Sequence, residues 1–112
     1  AAKGGLVALT HALSVSLAGV ARVNCISPGW IDTSRHQAPG TPPFEPSAAD
    51  LSQHPVGRIG RPEDIAAAVL FLCGEGAAFL DGQNLVVDGG MSKQMIYHGD
   101  HGWSFAAGAQ GK

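Results

Sequence analysis

The sequence predicts an α/β fold built on a parallel sheet. Two short segments rich in strand-compatible residues, Arg22 to Ser27 (RVNCIS) and Gln83 to Asp88 (QNLVVD), each run into a turn-forming pair, Pro28-Gly29 and Gly89-Gly90. A helical pattern stands before each of them. The order helix, strand, long loop, helix, strand therefore contains one strand-helix-strand unit, whose crossover makes the two strands parallel.

Between Ala2 and Leu17, leucines recur at positions 6, 9, 13 and 17, the period of a helix with one apolar stripe. Ala2, Gly5, Ala12 and Ser16 flank the stripe and would let another helix approach closely. Gly19 supplies the stop. Arg22 to Ser27 then reads as a buried parallel strand ended by a sharp turn. From Trp30 to Gly57 the chain carries Pro39, Gly40, Pro42, Pro43, Pro46 and Pro55, and it has room for one short helix near Ser47 to Gln53. An excursion longer than ~12–15 residues inside a compact domain is usually a lid or binding loop.

Pro62 suits the first turn of the next helix, where its missing N–H costs nothing. Glu63 and Asp64 favour the same end through the helix dipole. This helix is expected to run to about Cys73 and stop at Gly74 and Gly76, with Ile65, Ala68, Val69 and Leu72 inward and Phe71 covered on a second side. Beyond Gln83 to Asp88, the segment from Met91 to Lys112 thins into polar and glycine-rich sequence whose last residues are expected to be disordered. Parallel sheets have both faces covered, so two strands predict open edges and bare apolar faces, with further strands upstream or in a partner chain. The start at Ala1, without methionine or a signal segment and directly in a helical pattern, is the start expected of a cut chain.

With 112 residues, 14% of them charged, and a net charge of -2, the chain has the composition of one small domain. Its seven basic residues are scattered, which argues against nucleic acid. No apolar run approaches the ~20 residues of a membrane-spanning helix. Cys25 and Cys73 lie in apolar segments and are expected to be small buried hydrophobes of a reducing, cytoplasmic compartment. His98 and His101 stand three apart, but with glycines around them and no further ligands the sequence predicts no metal site. His11, His36 and His54 read as surface or loop residues.

Four blocks, AAKGGLVALTHALSVSLA, RVNCISPGWIDT, GRIGRPEDIAAAVLFL and DGQNLVVDGG, follow one another at spacings that resemble the C-terminal half of the short-chain dehydrogenase/reductase family, from Ala1 to about Ser92. The resemblance implies the C-terminal part of a Rossmann-type doubly wound parallel sheet over residues 1–92, with 93–112 as a tail. It also implies an oxidoreductase moving a hydride between NAD or NADP and a small-molecule alcohol or carbonyl, in a dimer or tetramer.

The family places a tyrosine four positions before a lysine on one helix, and Lys3 matches the lysine. That spacing sets both side chains on one helical face, where an ammonium can lower the phenol's pKa from its ordinary value near ~10 and hold the coenzyme's ribose hydroxyls. The tyrosine itself would precede Ala1. Read without the resemblance, Lys3 is a solvated first-turn lysine.

In Ser27 to Thr33 (SPGWIDT), the resemblance implies a turn passing the nicotinamide carboxamide, with backbone contacts from Ile31 and a hydroxyl from Thr33. Ligands of open α/β sheets bind outside the carboxyl ends of the strands, which supports the place. Pro28 stiffens the turn and Gly29 permits close backbone approach to a ring. The alternative is an ordinary turn with Thr33 capping a short helix. Trp30 is either a wall of the substrate pocket or an anchor of the loop. Asp88-Gly89-Gly90 is most simply a strand end and turn.

No glycine-rich pyrophosphate turn lies between a strand and a helix in these 112 residues, so the chain alone is expected not to catalyse hydride transfer. Two rival readings stand beside the oxidoreductase. One is a non-catalytic piece that assembles through its first helix. The other is a relative of the enoyl reductases, which space tyrosine and lysine more widely.

Overall fold

The computed structural model describes residues 2–94. Its elements run α1 (Ala2–Ser16), β1 (Cys25–Pro28), a 3-10 turn (Ser34–His36), α2 (Ala48–Ser52), α3 (Pro62–Cys73), a second 3-10 turn (Glu75–Ala77), β2 (Asn84–Val87) and α4 (Met91–Gln94). The two strands pair in parallel, with Cys25 opposite Asn84 and Pro28 opposite Val87. The α/β class, the element order and the parallel pairing are those expected. The described residues divide into two units, one of 2–28 with 63–87 and one of 29–62 with 88–94.

In the first unit α1 packs on β1, and α1 ends one residue earlier than the leucine period suggested. The strand starts later than expected, at Cys25, because side chains take over the bonding of Arg22 to Asn24. The Arg22 guanidinium donates to the carbonyls of Ala77 (2.8 Å), Leu80 (3.2 Å) and Gly74 (3.4 Å). Asn24 donates to the Leu80 carbonyl and accepts from the Gln83 amide, while the Val23 amide donates to Asp81. Arg22 thereby ties the chain before this strand to three carbonyls of the chain that follows α3, which also accept from the Ala77 amide, the Leu80 amide and Asn24. At the other end of α3, Pro62, Glu63 and Asp64 fill the first turn.

Little of this unit is buried. Among the described residues the buried apolar side chains are Ile59 and Ala77, and Ala77 alone belongs to this unit. The leucine stripe of α1 is open, with Leu6 53% and Leu9 51% exposed, and Val69 and Phe71 of α3 are exposed as well. Cys25 is half-buried and Cys73 exposed, contrary to the expectation of two buried thiols. The physical reason is common to all of them: a two-stranded sheet has no second layer to cover these faces.

In the second unit the long loop carries the one short helix it had room for near Ser47 to Gln53, α2, and in addition the 3-10 turn Ser34–His36. Ser47 and Asp50 form a capping box that starts α2, with the Asp50 amide donating to Ser47 Oγ and the Ser47 amide to Asp50 Oδ2. Trp30 packs against Phe44 (ring centroids 5.7 Å apart) and His54 (5.9 Å). His54 is 2% exposed, which corrects its reading as a surface or loop histidine: it lies in a loop, but inside the unit. His11 and His36 are exposed. His98, His101 and the expected disordered tail lie outside the described residues. Among the described residues no cluster of His, Cys, Asp and Glu could hold a metal ion, and no helix is long and apolar enough to cross a membrane.

Candidate functional site

Two of the residues singled out in the sequence, Lys3 and Pro28, meet in the first unit. Lys3, Leu6 and Val7 of α1 and Cys25, Ile26, Ser27 and Pro28 of β1 line a pocket of about 160 Å³. Spacings of three and four put the helix residues on one face. Ser27 Oγ donates to Asn84 Oδ1 at 2.6 Å and Cys25 Sγ lies 3.5 Å from the same oxygen, so a cross-strand polar group fixes this part of the sheet. Lys3 is exposed and has no ion-pair partner among the described residues. Small-molecule sites are commonly ~300–1,000 Å³, so this pocket admits a part of a coenzyme, such as one sugar ring, and not a dinucleotide.

A larger hollow of about 440 Å³ in the same unit is lined by Arg22, Val23, Asn24, Ile26, Val69, Leu72 and Cys73. Its single charged group, Arg22, is already committed to three carbonyls. Size favours this hollow and chemistry the smaller one.

The remaining candidates, Gly29, Ile31 and Thr33, belong to the second unit. At Gly29, where close approach to a ring was expected, the group that approaches is Asp88. A Cβ built on Gly29 would lie 2.6 Å from Asp88 Cβ and 2.8 Å from its Cα, too close for any side chain. Ile31 forms a parallel bridge with Gly60, in which the Gly60 amide donates to the Trp30 carbonyl (3.0 Å) and the Asp32 amide to the Gly60 carbonyl (2.8 Å). In this pattern the N–H and C=O of Ile31 itself face away from Gly60. Neither has a partner among the described residues. The turn thus presents one donor and one acceptor side by side.

Thr33 precedes the 3-10 turn but makes no side-chain cap bond. Asp32 does so instead, accepting from the Ser34 amide at 2.9 Å. The Ser34 amide, then the Ser34 hydroxyl, hold the Asp32 carboxyl below its ordinary pKa, with Arg35 adding a smaller effect in the same direction. Thr33 Oγ accepts from Gln37 Nε2 at 3.0 Å, which leaves its own proton to donate. Trp30, 39% exposed and packed on two rings, anchors the loop while keeping an open edge.

Asp88, read from the sequence as part of a strand end and turn, is found in that turn. Its Oδ1 accepts from the Gly90 amide (2.9 Å) and its Oδ2 from the Ser92 amide (3.1 Å), closing a turn in which Gly89 and Gly90 have φ of 65° and 85°. The Asp-Gly-Gly string after a strand is a recognisable signature of such a turn. What the turn touches is not in that string.

A family model described as enoyl-(acyl carrier protein) reductase matches residues 1–92. The chain belongs to the short-chain dehydrogenase/reductase family. Among members of the family, an uncharacterised oxidoreductase of Thermotoga maritima is 51% identical over 102 residues, which are 87% of this chain and 39% of the relative. The 3-oxoacyl-(acyl-carrier-protein) reductase of Chlamydia trachomatis is 42% identical over 95 residues, 82% of this chain and 36% of that protein. Of solved short-chain dehydrogenase/reductase structures, an apo enzyme from Clostridium thermocellum is similar with a TM-score of 0.72 at 48% identity, over 94% of this chain and 38% of that one. A glucose/ribitol dehydrogenase-type member from Brucella melitensis gives 0.64 at 38% identity, over 80% and 33%. This short-chain dehydrogenase/reductase chain therefore spans about two fifths or less of these relatives.

Proposed function

We propose that the protein carrying this chain interconverts an alcohol and a carbonyl on a small molecule, with NAD or NADP as coenzyme. One observation carries the reading. The Ile31 amide and carbonyl, a donor beside an acceptor without partners among the described residues, stand three residues beyond the carboxyl end of a parallel strand. A carboxamide, which offers one acceptor and two donors, is complementary to that pair. Ile31 then holds the carboxamide through its backbone, and Thr33 donates its free hydroxyl proton. Pro28 and Gly29 set the direction of the turn.

Lys3 places a positive charge in a pocket the size of one sugar ring, where it holds ribose hydroxyls and lowers the pKa of the tyrosine the family carries four residues earlier. When bound, the coenzyme supplies or accepts the hydride. The loop from Ser34 to Gly57 contacts the substrate. Because the 112 residues contain no glycine-rich pyrophosphate turn, the isolated chain is inactive on this reading. The exposed leucines of α1 join copies of the protein into a homodimer or tetramer.

The description of the matching family model favours a second reading, reduction of an enoyl thioester. Assays of the complete protein with 3-oxoacyl and enoyl thioesters separate the two. For either reaction, Lys3→Ala in the complete protein is expected to raise the coenzyme Kd about tenfold and to slow turnover by about 10²-fold, the scale of one lost proton-transfer or charge contribution. Unchanged kinetics would remove Lys3 from the site.

A further inference from the structure

Asp88-Gly89-Gly90 is more than a turn after β2. Within the second unit it touches Gly29, which leads into Ile31, and Pro55 and Val56, which lead towards the residue that bridges Ile31. On one side the backbone and Cβ of Asp88 lie against Gly29, two residues before Ile31. On the other side, a Cβ on Gly89 would lie 2.8 Å from Val56 Cγ2 and one on Gly90 would lie 3.1 Å from Pro55 Cγ, while the Gly89 carbonyl accepts from the Val56 amide at 3.2 Å. The segment after Val56 leads to Gly60, which holds Trp30 and Asp32 by its two hydrogen bonds. Ile31 is thus bracketed by Gly29 and Gly60, and the Asp88–Gly90 turn lies against Gly29 and against Pro55 and Val56, which precede Gly60 in the chain.

We propose that Asp88-Gly89-Gly90 is the positioning element of the Ile31 turn, with the Asp88 carboxylate locking its shape, so that the backbone donor and acceptor of Ile31 point at the nicotinamide carboxamide. The proposal rests on the coenzyme reading above. Asp88 touches no coenzyme in this scheme, and its two carboxylate oxygens are committed to the amides of Gly90 and Ser92. Its role is indirect. Without the carboxylate, the two left-handed glycines have no bond from the side chain to hold their turn, and Gly29 loses the fixed surface behind it. Displacements of about 1 Å in a positioning group are enough to lose most of its effect.

The test compares two ligands on the complete protein. The nicotinamide dinucleotide that the wild type binds more tightly is titrated alongside the corresponding ADP-ribose, which lacks only the nicotinamide. Asp88→Ala is expected to raise the dinucleotide Kd about tenfold, and Asp88→Asn, which keeps one acceptor, about threefold. The ADP-ribose Kd is expected to stay within about twofold of wild type in both. Gly29→Ala is expected to behave as Asp88→Ala. If Gly29→Ala fails to fold, the Asp88→Asn series still decides. Equal weakening of both ligands, as from general damage to the fold, overturns the proposal, and so does an unchanged dinucleotide Kd in Asp88→Ala. If the wild type binds ADP-ribose no less tightly than the dinucleotide, the carboxamide reading itself fails, an outcome distinct from insensitive variants of a protein that prefers the dinucleotide.

Discussion

Asp88 and Gly29 show how a single residue acquires its meaning from a partner far along the chain. A glycine after proline suggested close approach to a ring, whereas the group that lies against Gly29 is Asp88, at the end of the other strand. Asp88 also carries a pH dependence. The Ser92 hydroxyl, and then the Gly90 and Ser92 amides, hold its carboxyl below the ordinary aspartate value against a partial desolvation that raises it. A carboxyl with a lowered folded pKa contributes stability above its unfolded value near ~3.9, and that stability disappears as pH falls through the folded value. The wild-type melting temperature is therefore expected to fall more steeply below pH ~4 than that of Asp88→Asn, with the difference at neutral pH under about 1 kcal/mol because solvent screens the group. Parallel acid slopes in thermal melts of the two proteins would remove the contribution. His54 was out of reach of sequence reasoning for a related reason. Its Nδ1 faces the Asp50 carbonyl at 3.0 Å and its ring packs on Trp30, contacts that exist only once the loop has folded back.

At the scale of elements, periodicity and capping chemistry were legible. The bounds of α3 coincide with the residues Pro62 and Cys73 read from the sequence, because proline, the acidic pair and the glycines act locally. The start of β1 was not legible. Arg22 to Asn24 have strand-like composition, yet their bonding goes to side-chain and loop partners more than fifty residues away. Arg22 accordingly holds the segment after α3 against the chain before β1. Replacing it by Ala leaves the carbonyls of Gly74, Ala77 and Leu80 without this donor, and a loss of about 2–3 kcal/mol is expected from urea denaturation of the complete protein, the scale for hydrogen bonds from a charged group. Arg22→Lys is expected to recover only part of it, since one ammonium cannot reproduce the planar fork. A variant as stable as wild type would show that the Ala77 and Leu80 amides and Asn24, which also donate to these carbonyls, suffice without Arg22.

On the scale of the whole molecule, the open leucine stripe of α1 is one of the bare apolar faces expected of a two-stranded sheet. Leu6 and Leu9 are each more than half exposed. If the stripe joins copies of the protein, Leu9→Lys in the complete protein is expected to weaken self-association at least about tenfold, read as a shift in mass by sedimentation. An unchanged mass would place the contact elsewhere. The sequence by itself determined the α/β class, the order of elements, the parallel pairing and membership of the short-chain dehydrogenase/reductase family. These rest on short-range patterns of period, cap and turn, and on four blocks kept in order. Only the tertiary structure decided that Lys3 and Pro28 share a pocket, that Asp88 stands behind Gly29, and that Ser27 is tied to Asn84, 57 residues away. Such contacts depend on the path of the chain between the partners, which no local pattern encodes.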